Sequence, residues 1–269
     1  MKRFLFLMVV SLLLFSLGNV ALASKSPQQN SDDLTETERM ILLNEVGLSE
    51  YDLTLFPVEQ LREFIAIGAK KLSNKHSPTS YDLKNEGDNN NKIGTMALTE
   101  DDITLYGAVL QVASDKPNNL KFYIYGTFTW MVDPFWTLTD KYSIGYPVTN
   151  EWYLPTKNGK IDGHANRICY YFGYQECINS NEPSDHSIGS GVAAAYDLKA
   201  DSSAHIGLIG QYVYTTRQQG ASNVVFRYGH RLISGKPSVS IYPDIGLAIT
   251  PSTQTETLDY IIEFEWGYN

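Results

Sequence analysis

The chain has 269 residues and a formal net charge of −9, with 30 acidic residues against 21 Lys and Arg. An acidic protein repels phosphate backbones and anionic lipid surfaces, so we expect no nucleic-acid partner. The 18 Tyr, 11 Phe and 4 Trp favour strands with one half-exposed face, because Tyr and Trp combine an apolar ring with a polar tip.

Residues 1–23 have the pattern of a secretory signal peptide. Two basic residues precede an apolar stretch from Phe4 to Leu17, and small residues follow at Ala21 and Ala23, where signal peptidase requires them. The apolar stretch is shorter than the ~20 residues that cross a bilayer as a helix. We therefore expect cleavage after Ala23, a secreted extracellular product and no stable membrane insertion; the alternative is an uncleaved anchor.

A short helical unit is predicted next in the chain. Residues 24–34 are polar and predicted to be disordered, whereas residues 35–72 contain three short helical signals. Thr35 and Glu38 form a capping box, and Pro57 suits the first turn of the third helix. A unit of this size cannot bury enough surface to be stable alone, so we expect it to dock on the remaining domain or on another protein.

Residues 73–100 have the composition of a linker, and residues 101–269 change to a strand pattern of period two. Nine strand-like runs, separated by short Gly, Pro, Asn or Ser breaks, predict an antiparallel β-sandwich or jelly roll. The clearest run is Leu120 to Trp130, in which apolar residues alternate with residues that include Tyr123 and Tyr125. This pattern predicts a core face and a hydroxyl-rich face on one strand.

Cys169 and Cys177 are the two cysteines of the chain, eight positions apart around Gly173. In an oxidising compartment they are expected to form a disulfide that staples a hairpin. Closure of so short a loop contributes about 2–3 kcal/mol. We interpret the bond as structural because redox-active pairs are typically spaced C-x-x-C.

The sequence lacks the common catalytic signatures. It contains no G-x-S-x-G nucleophile elbow, no H-E-x-x-H zinc motif and no P-loop. The histidines of the β region show no metal-ligand spacing, so we expect neither a metal nor another cofactor. These histidines are His164, His186, His205 and His230.

Glu263 and Glu265 are the strongest catalytic candidates. They face the same way on the last predicted strand, and glycosidases on sandwich folds require two carboxylates about 5–9 Å apart. The alternative is a solvent-facing edge whose charges discourage strand pairing with other molecules. The sequence favours a non-enzymatic protein over this catalytic interpretation.

Aromatic residues crowd the segment from Trp130 to Tyr146. They could form a stacking platform for a sugar or an aromatic plug at a corner of the sandwich. Together with aromatic residues of neighbouring strands they define a predicted contact surface. Its members are Tyr123, Tyr125, Trp136, Tyr142 and Trp152.

The same segment, with W-x-x-x-P followed by L-T-D and I-G, resembles small exported proteins of unknown function from Gram-positive bacteria of the Bacillus type. The resemblance implies a signal peptide, a short helical segment, a linker and a C-terminal β domain. It extends to an aromatic-H motif at Tyr228 and His230 and to a Ser-rich strand at Ser238 and Ser240. It implies no activity and no catalytic residue.

Three functions follow as hypotheses. The first is a secreted, non-enzymatic binding protein that contacts a glycan, a cell-wall component or a protein at the cell surface or in the medium. The second is a secreted glycan hydrolase that uses Glu263 and Glu265. The third is a secreted toxin or bacteriocin-like effector whose helical unit docks on a partner.

Overall fold

The structure is a computed structural model, and the part of it described below comprises residues 33–72, the backbone of 75–77, 98–148 and 151–267. The predicted signal peptide with Ala21 and Ala23, nearly all of segment 24–34 and most of linker 73–100 lie outside the described residues. The fold is mainly antiparallel β with a small N-terminal helical segment, as predicted. Within the described part, no helix is both long and apolar enough to span a membrane.

Two antiparallel sheets form the body of the sandwich. The strands of the first sheet are β1 (Lys70–Lys71), β3 (Ile103–Val112), β4 (Leu120–Trp130), β6 (Trp152–Tyr153), β9 (His164–Tyr171), β10 (Gln175–Ser180) and β13 (His205–Thr215). Their order in the sheet is β1-β3-β4-β13-β9-β10, with β6 paired to β13.

The strands of the second sheet are β2 (Lys75–Ser77), β5 (Thr139–Gly145), β11 (Asp185–Ser187), β12 (Gly191–Asp197), β14 (Gly220–Arg231) and β17 (Thr255–Trp266). Their order in the sheet is β11-β12-β5-β14-β17-β2.

Two small hairpins flank these sheets, namely β7 (Thr156–Lys157) with β8 (Lys160–Ile161) and β15 (Val239–Tyr242) with β16 (Gly246–Ile249). The second hairpin packs on the outer face of the second sheet through a small apolar cluster. Strand β2 lies within the predicted linker, yet its backbone pairs with Ile261–Glu263 of β17. This part of the linker is therefore incorporated into a sheet.

The main core lies between the two sheets and is built largely from aromatic rings. The ring of Phe128 on β4 lies 4.6 Å from that of Tyr228 on β14. Phe226 projects against β3 and β4 so closely that a Cβ at Gly107 or Gly126 would lie within 2.4 Å of its ring. The two glycines are therefore required by the close approach of the sheets.

The helical unit consists of α1 (Glu36–Ile41), which continues as a π-helical turn (Leu42–Val46), α2 (Glu50–Leu55) and α3 (Val58–Ala66). The predicted capping box of Thr35 and Glu38 is present, and Ser49 caps α2 in the same way with Asp52. Each box satisfies backbone N–H groups that the first helical turn leaves unpaired. The local sequence thus determines where these helices begin.

The helical unit docks on the outer face of the first sheet, the first of the two predicted alternatives. Phe56 and Phe64 pack against the rings of Tyr125 and Tyr123, at centroid distances of 4.9 and 5.1 Å. At the centre of this contact the buried carboxylate of Asp52 accepts a hydrogen bond of 2.8 Å from the Tyr125 hydroxyl. The hydroxyl-rich face of β4 is therefore covered by protein.

The predicted disulfide between Cys169 and Cys177 is present and joins paired positions of β9 and β10. The chain turns at Gly173, whose φ of +86° lies in the left-handed region that favours glycine. The predicted stapled hairpin is confirmed.

Candidate functional site

The β4–β5 loop, residues 131–138, exposes large apolar side chains at one end of the sandwich. Phe135 is 86 % exposed and Trp136 is 45 % exposed, and Met131 and Val132 are also exposed. The rings of Phe135 and Trp136 meet edge to face with centroids 4.9 Å apart. Asp133 is the only charged residue in the loop. The loop therefore presents a protruding apolar surface to water.

A buried polar network connects the two ends of this loop. Trp130, which precedes the loop, donates from Nε1 to the Tyr228 hydroxyl at 3.0 Å. Tyr228 in turn donates to Oδ2 of Asp140, which follows the loop, at 2.6 Å. Asp140 also accepts a hydrogen bond from the backbone N–H of Arg231 at 2.9 Å, and His230 Nδ1 lies 2.9 Å from its Oδ2. Both ends of the loop are thus held on strand β14.

This buried network forms the base of the loop, and burial determines its electrostatics. Burial raises the pKa of Asp140, while its contacts with His230, Tyr228 and the Arg231 N–H oppose that shift. Burial and the adjacent carboxylate raise the pKa of Tyr228 well above its ordinary value, so its hydroxyl keeps its proton and donates. His230 and Asp140 are both buried, which keeps them from direct contact with a substrate. The network is a support for the loop.

The structure does not assemble the predicted contact surface as one solvent-facing patch. Trp136 is exposed in the β4–β5 loop, but the other four predicted residues are buried. Tyr123 and Tyr125 lie beneath the helical unit, Tyr142 lies between the sheets, and Trp152 packs on Phe122 at 5.0 Å. The reason is that strand alternation separates two faces of a strand but does not reveal what covers each face.

The aromatic segment divides into buried and exposed residues. Trp130 and Tyr142 are buried in the core, as the plug interpretation requires, whereas Phe135 and Trp136 are exposed. Trp136 was among the predicted contact residues, whereas Phe135, Met131 and Val132 were not. A signal existed, because adjacent side chains of an extended segment point to opposite sides, so the two rings were not expected to share one core.

Glu263 and Glu265 are exposed on the outer face of the second sheet, where they share one side of β17 as predicted. Their cross-strand neighbours on β14 are Asn223 and Ala221, neither of which is an acid or a base. On its other side β17 pairs with β2, so Glu263 does not lie on an unpaired edge. The alternative interpretation, an unpaired solvent-facing edge, therefore does not hold at Glu263.

The histidines of the β region lie in separate environments. The ring of His164 contacts Gln211 and Asn166, and the ring of His205 contacts the backbone of Lys199. Across the described ranges, no three His, Cys, Asp or Glu side chains come together in a way that could hold a metal ion.

Neither a protein family nor a curated protein matches the sequence. Among solved structures, the chain is similar to a pore forming protein at 11 % identity and a TM-score of 0.32, over 61 % of this chain and 90 % of that one. It is also similar to Clostridium perfringens delta-toxin, at 8 % identity and a TM-score of 0.28, over 73 % and 89 % of the two chains. The membrane-inserted form of the Clostridium perfringens NetB toxin is similar at 8 % identity and a TM-score of 0.27, over 61 % of this chain and 97 % of that one. These TM-scores are too low to transfer a function.

Proposed function

We propose that the protein is a secreted, non-enzymatic binding protein that attaches to the lipid surface of cells through the β4–β5 loop. The observation that carries this proposal is the exposure of Met131, Val132, Phe135 and Trp136 on one short loop. Contiguous exposed apolar surface marks sites of contact with proteins or membranes. Transfer of such surface out of water is favourable by about 25 cal/mol per Å².

The chemistry of the loop favours a lipid surface over a sugar. A sugar site combines an aromatic ring with several hydrogen-bonding side chains, whereas Phe135 and Trp136 are accompanied by Met131 and Val132. Aromatic rings are stable at the level of lipid headgroups. A protruding loop also needs no preformed pocket in a fluid bilayer, in contrast to a protein partner.

The charge of the molecule selects the class of lipid. The chain has a net charge of −9, and the single charge in the loop is the carboxylate of Asp133. Anionic headgroups repel such a molecule, and the repulsion extends over about one Debye length. We therefore propose zwitterionic headgroups as the target.

Export of the protein is supported by two features. Residues 1–23 have the charge and hydropathy pattern of a cleaved signal peptide. The bond between Cys169 and Cys177 is of the kind that forms and persists in oxidising compartments. Both features support a location of the loop outside the cell.

The chain offers a direct optical test. It has four tryptophans, of which Trp130, Trp152 and Trp266 are buried and Trp136 is exposed. Quenching of tryptophan fluorescence by iodide therefore reports mainly on Trp136. We expect phosphatidylcholine vesicles to shift the emission to shorter wavelength and to protect Trp136 from iodide, and phosphatidylglycerol vesicles to do so less.

Sedimentation with the vesicles supplies the matched comparison. The double variant Phe135→Ser and Trp136→Ser should remain in the supernatant, whereas Ile241→Ser, which removes an exposed apolar side chain from the β15–β16 hairpin, should sediment like the wild type. Equal sedimentation of the wild type and the double variant would contradict the proposal. Release of a dye trapped in the vesicles would favour the toxin hypothesis over simple attachment.

A further inference from the structure

A polar cleft opens between helix α3, the β7–β8 hairpin and the outer face of the first sheet. Its volume is about 400 Å³, within the range of small-molecule sites. Helix α3 contributes Gln60 and Glu63, and the sheet contributes Tyr123 and Tyr212. The lining is completed by Asp162 between β8 and β9, by His164 at the start of β9, and by Asn181 and Glu182 after β10, among others.

Tyr123 lines this cleft, and its buried hydroxyl has no hydrogen-bond partner in the described structure. Gly210 leaves room for it, because a Cβ at that position would lie 1.9 Å from the hydroxyl oxygen. Tyr125, the next tyrosine on the same face, has a hydrogen-bond partner, because its hydroxyl donates to Asp52. Buried polar groups are nearly always hydrogen-bonded, so an unpaired hydroxyl at a cleft calls for an explanation.

Negative charge dominates the cleft. Glu63, Asp162 and Glu182 supply three carboxylates, whereas Lys160 supplies the one ammonium group and is paired with Glu182 at 2.6 Å. Glu63 accepts a hydrogen bond of 2.9 Å from the hydroxyl of Tyr212. Burial and, to a smaller extent, the charge of Glu63 raise the pKa of Tyr123, so its hydroxyl stays neutral. The cleft is therefore rich in acceptors.

These observations discriminate among ligand classes. The carboxylates repel phosphates and other anions. The rings of Tyr123 and Tyr212 are buried, so neither offers a free face on which a sugar could stack. The described residues hold no cluster of ligands suited to a metal ion. An organic cation with N–H donors remains as the class that matches both the charge and the acceptors.

We infer that the cleft binds an alkylammonium group, with Glu63 supplying the compensating charge and the Tyr123 hydroxyl accepting one of its hydrogen bonds. A free polyamine or a lysine side chain of a peptide could supply that group. The inference concerns a site separate from the β4–β5 loop and does not depend on lipid attachment.

Titration calorimetry with spermidine at low ionic strength tests the inference. We expect the wild type to bind spermidine, and Tyr123→Phe and Glu63→Gln each to weaken binding about tenfold or more, since each removes one charge-assisted contact. Tyr153→Phe is the matched control, because the Tyr153 hydroxyl donates to Asn119 at 2.8 Å and neither residue lines the cleft. It should leave the affinity unchanged.

Two further titrants separate the sources of the ammonium group. Tighter binding of spermidine than of a blocked lysine tripeptide indicates a free polyamine, and the reverse order indicates a peptide. Binding of maltotriose in place of both amines, or spermidine affinities equal in the wild type and the two cleft variants, would overturn the inference. So would failure of spermidine and the tripeptide to bind at all.

The stability of the unliganded variant supplies an independent check. Tyr123→Phe removes a hydroxyl without a partner, so its Tm should equal or exceed that of the wild type. A clear fall in Tm would show that the Tyr123 hydroxyl is already hydrogen-bonded within the protein, which would contradict the proposed role of this hydroxyl in binding. Vesicle sedimentation of the cleft variants should match the wild type, so this test fails or succeeds separately from the proposed function.

Discussion

The β4–β5 loop and the cleft beside helix α3 differ in what each leaves unsatisfied. The loop exposes Phe135 and Trp136 above a base in which the polar groups around Asp140 are bonded to one another. The cleft is polar, and Tyr123 in its lining has a buried hydroxyl with no partner among the described residues. Exposed apolar surface is stabilised by leaving water, whereas an unpaired hydroxyl is stabilised by a polar ligand. One sandwich therefore carries two surfaces of opposite chemistry.

In both regions, different residues should determine stability and ligand binding. At the loop, the buried base should control folding and the exposed tip should control binding. Near the cleft, the contact between Tyr125 and Asp52 should hold the helical unit on the sheet, whereas the hydroxyl of Tyr123 should contribute to ligand binding. Substitutions in these places should therefore differ in size and in what they affect.

The largest effect is expected from Asp140→Ala. The substitution leaves the Tyr228 hydroxyl, the His230 ring and the Arg231 N–H without their buried acceptor, which should lower the free energy of unfolding by about 3–5 kcal/mol. Denaturation in urea measures it. Asp133→Asn in the exposed tip is the control and should stay within about 0.5 kcal/mol of the wild type. Similar values for both variants would contradict the division between base and tip.

The second largest effect is a change in how the free energy of unfolding depends on pH. Burial lowers the pKa of His164, at the wall of the cleft, to about 4. Between about pH 6.5 and 4 the unfolded chain therefore binds a proton at this ring that the folded chain does not, and stability is lost as the pH falls through that window. His164→Gln should show a loss between pH 7 and pH 4.5 that is smaller by about 2–3 kcal/mol. Equal losses in both proteins would refute the assignment of a neutral ring.

A smaller effect separates two tyrosines on one face of β4. Tyr125→Phe removes a hydrogen bond to the buried carboxylate of Asp52 and should cost about 1.5–3 kcal/mol. Tyr123→Phe removes no hydrogen bond within the protein and should cost nothing measurable. Urea denaturation of both variants under one buffer condition makes the comparison. If the order were reversed, the two environments would have been assigned to the wrong residues.

The smallest effect on stability is expected at the tip of the loop. Phe135→Ser and Trp136→Ser together should change the free energy of unfolding by about 0.5 kcal/mol or less, because both residues are exposed on a surface loop in the folded chain. Thermal denaturation checks this value beside the loss of vesicle binding. A large drop in Tm would show that the rings pack within the protein and that the binding loss reflects unfolding.

Local features of the fold were predictable from the sequence. The capping box of Thr35 and Glu38 and the hairpin joined by Cys169 and Cys177 depend on residues close together in the chain. Strand β4 was predictable from its alternation, since a period of two is a local property of extended backbone. The candidate sites were predicted less well. Trp136 was predicted to be a contact residue and is exposed, whereas Phe135, which is more exposed, was not predicted.

What the amino-acid sequence determined by itself was the mainly antiparallel β class, the start of the first helix, the disulfide and the two chemically distinct faces of β4. Tertiary structure alone decided that the helical unit covers the face with Tyr123 and Tyr125, that Asp140 joins Tyr228 and His230 from a distant strand, and that a cleft remains beside α3. The physical reason is the distance along the chain between the residues that interact. Caps, turns and alternation are set by neighbours along the chain, whereas coverage of a face and the partners of a buried polar group depend on segments that meet only after folding.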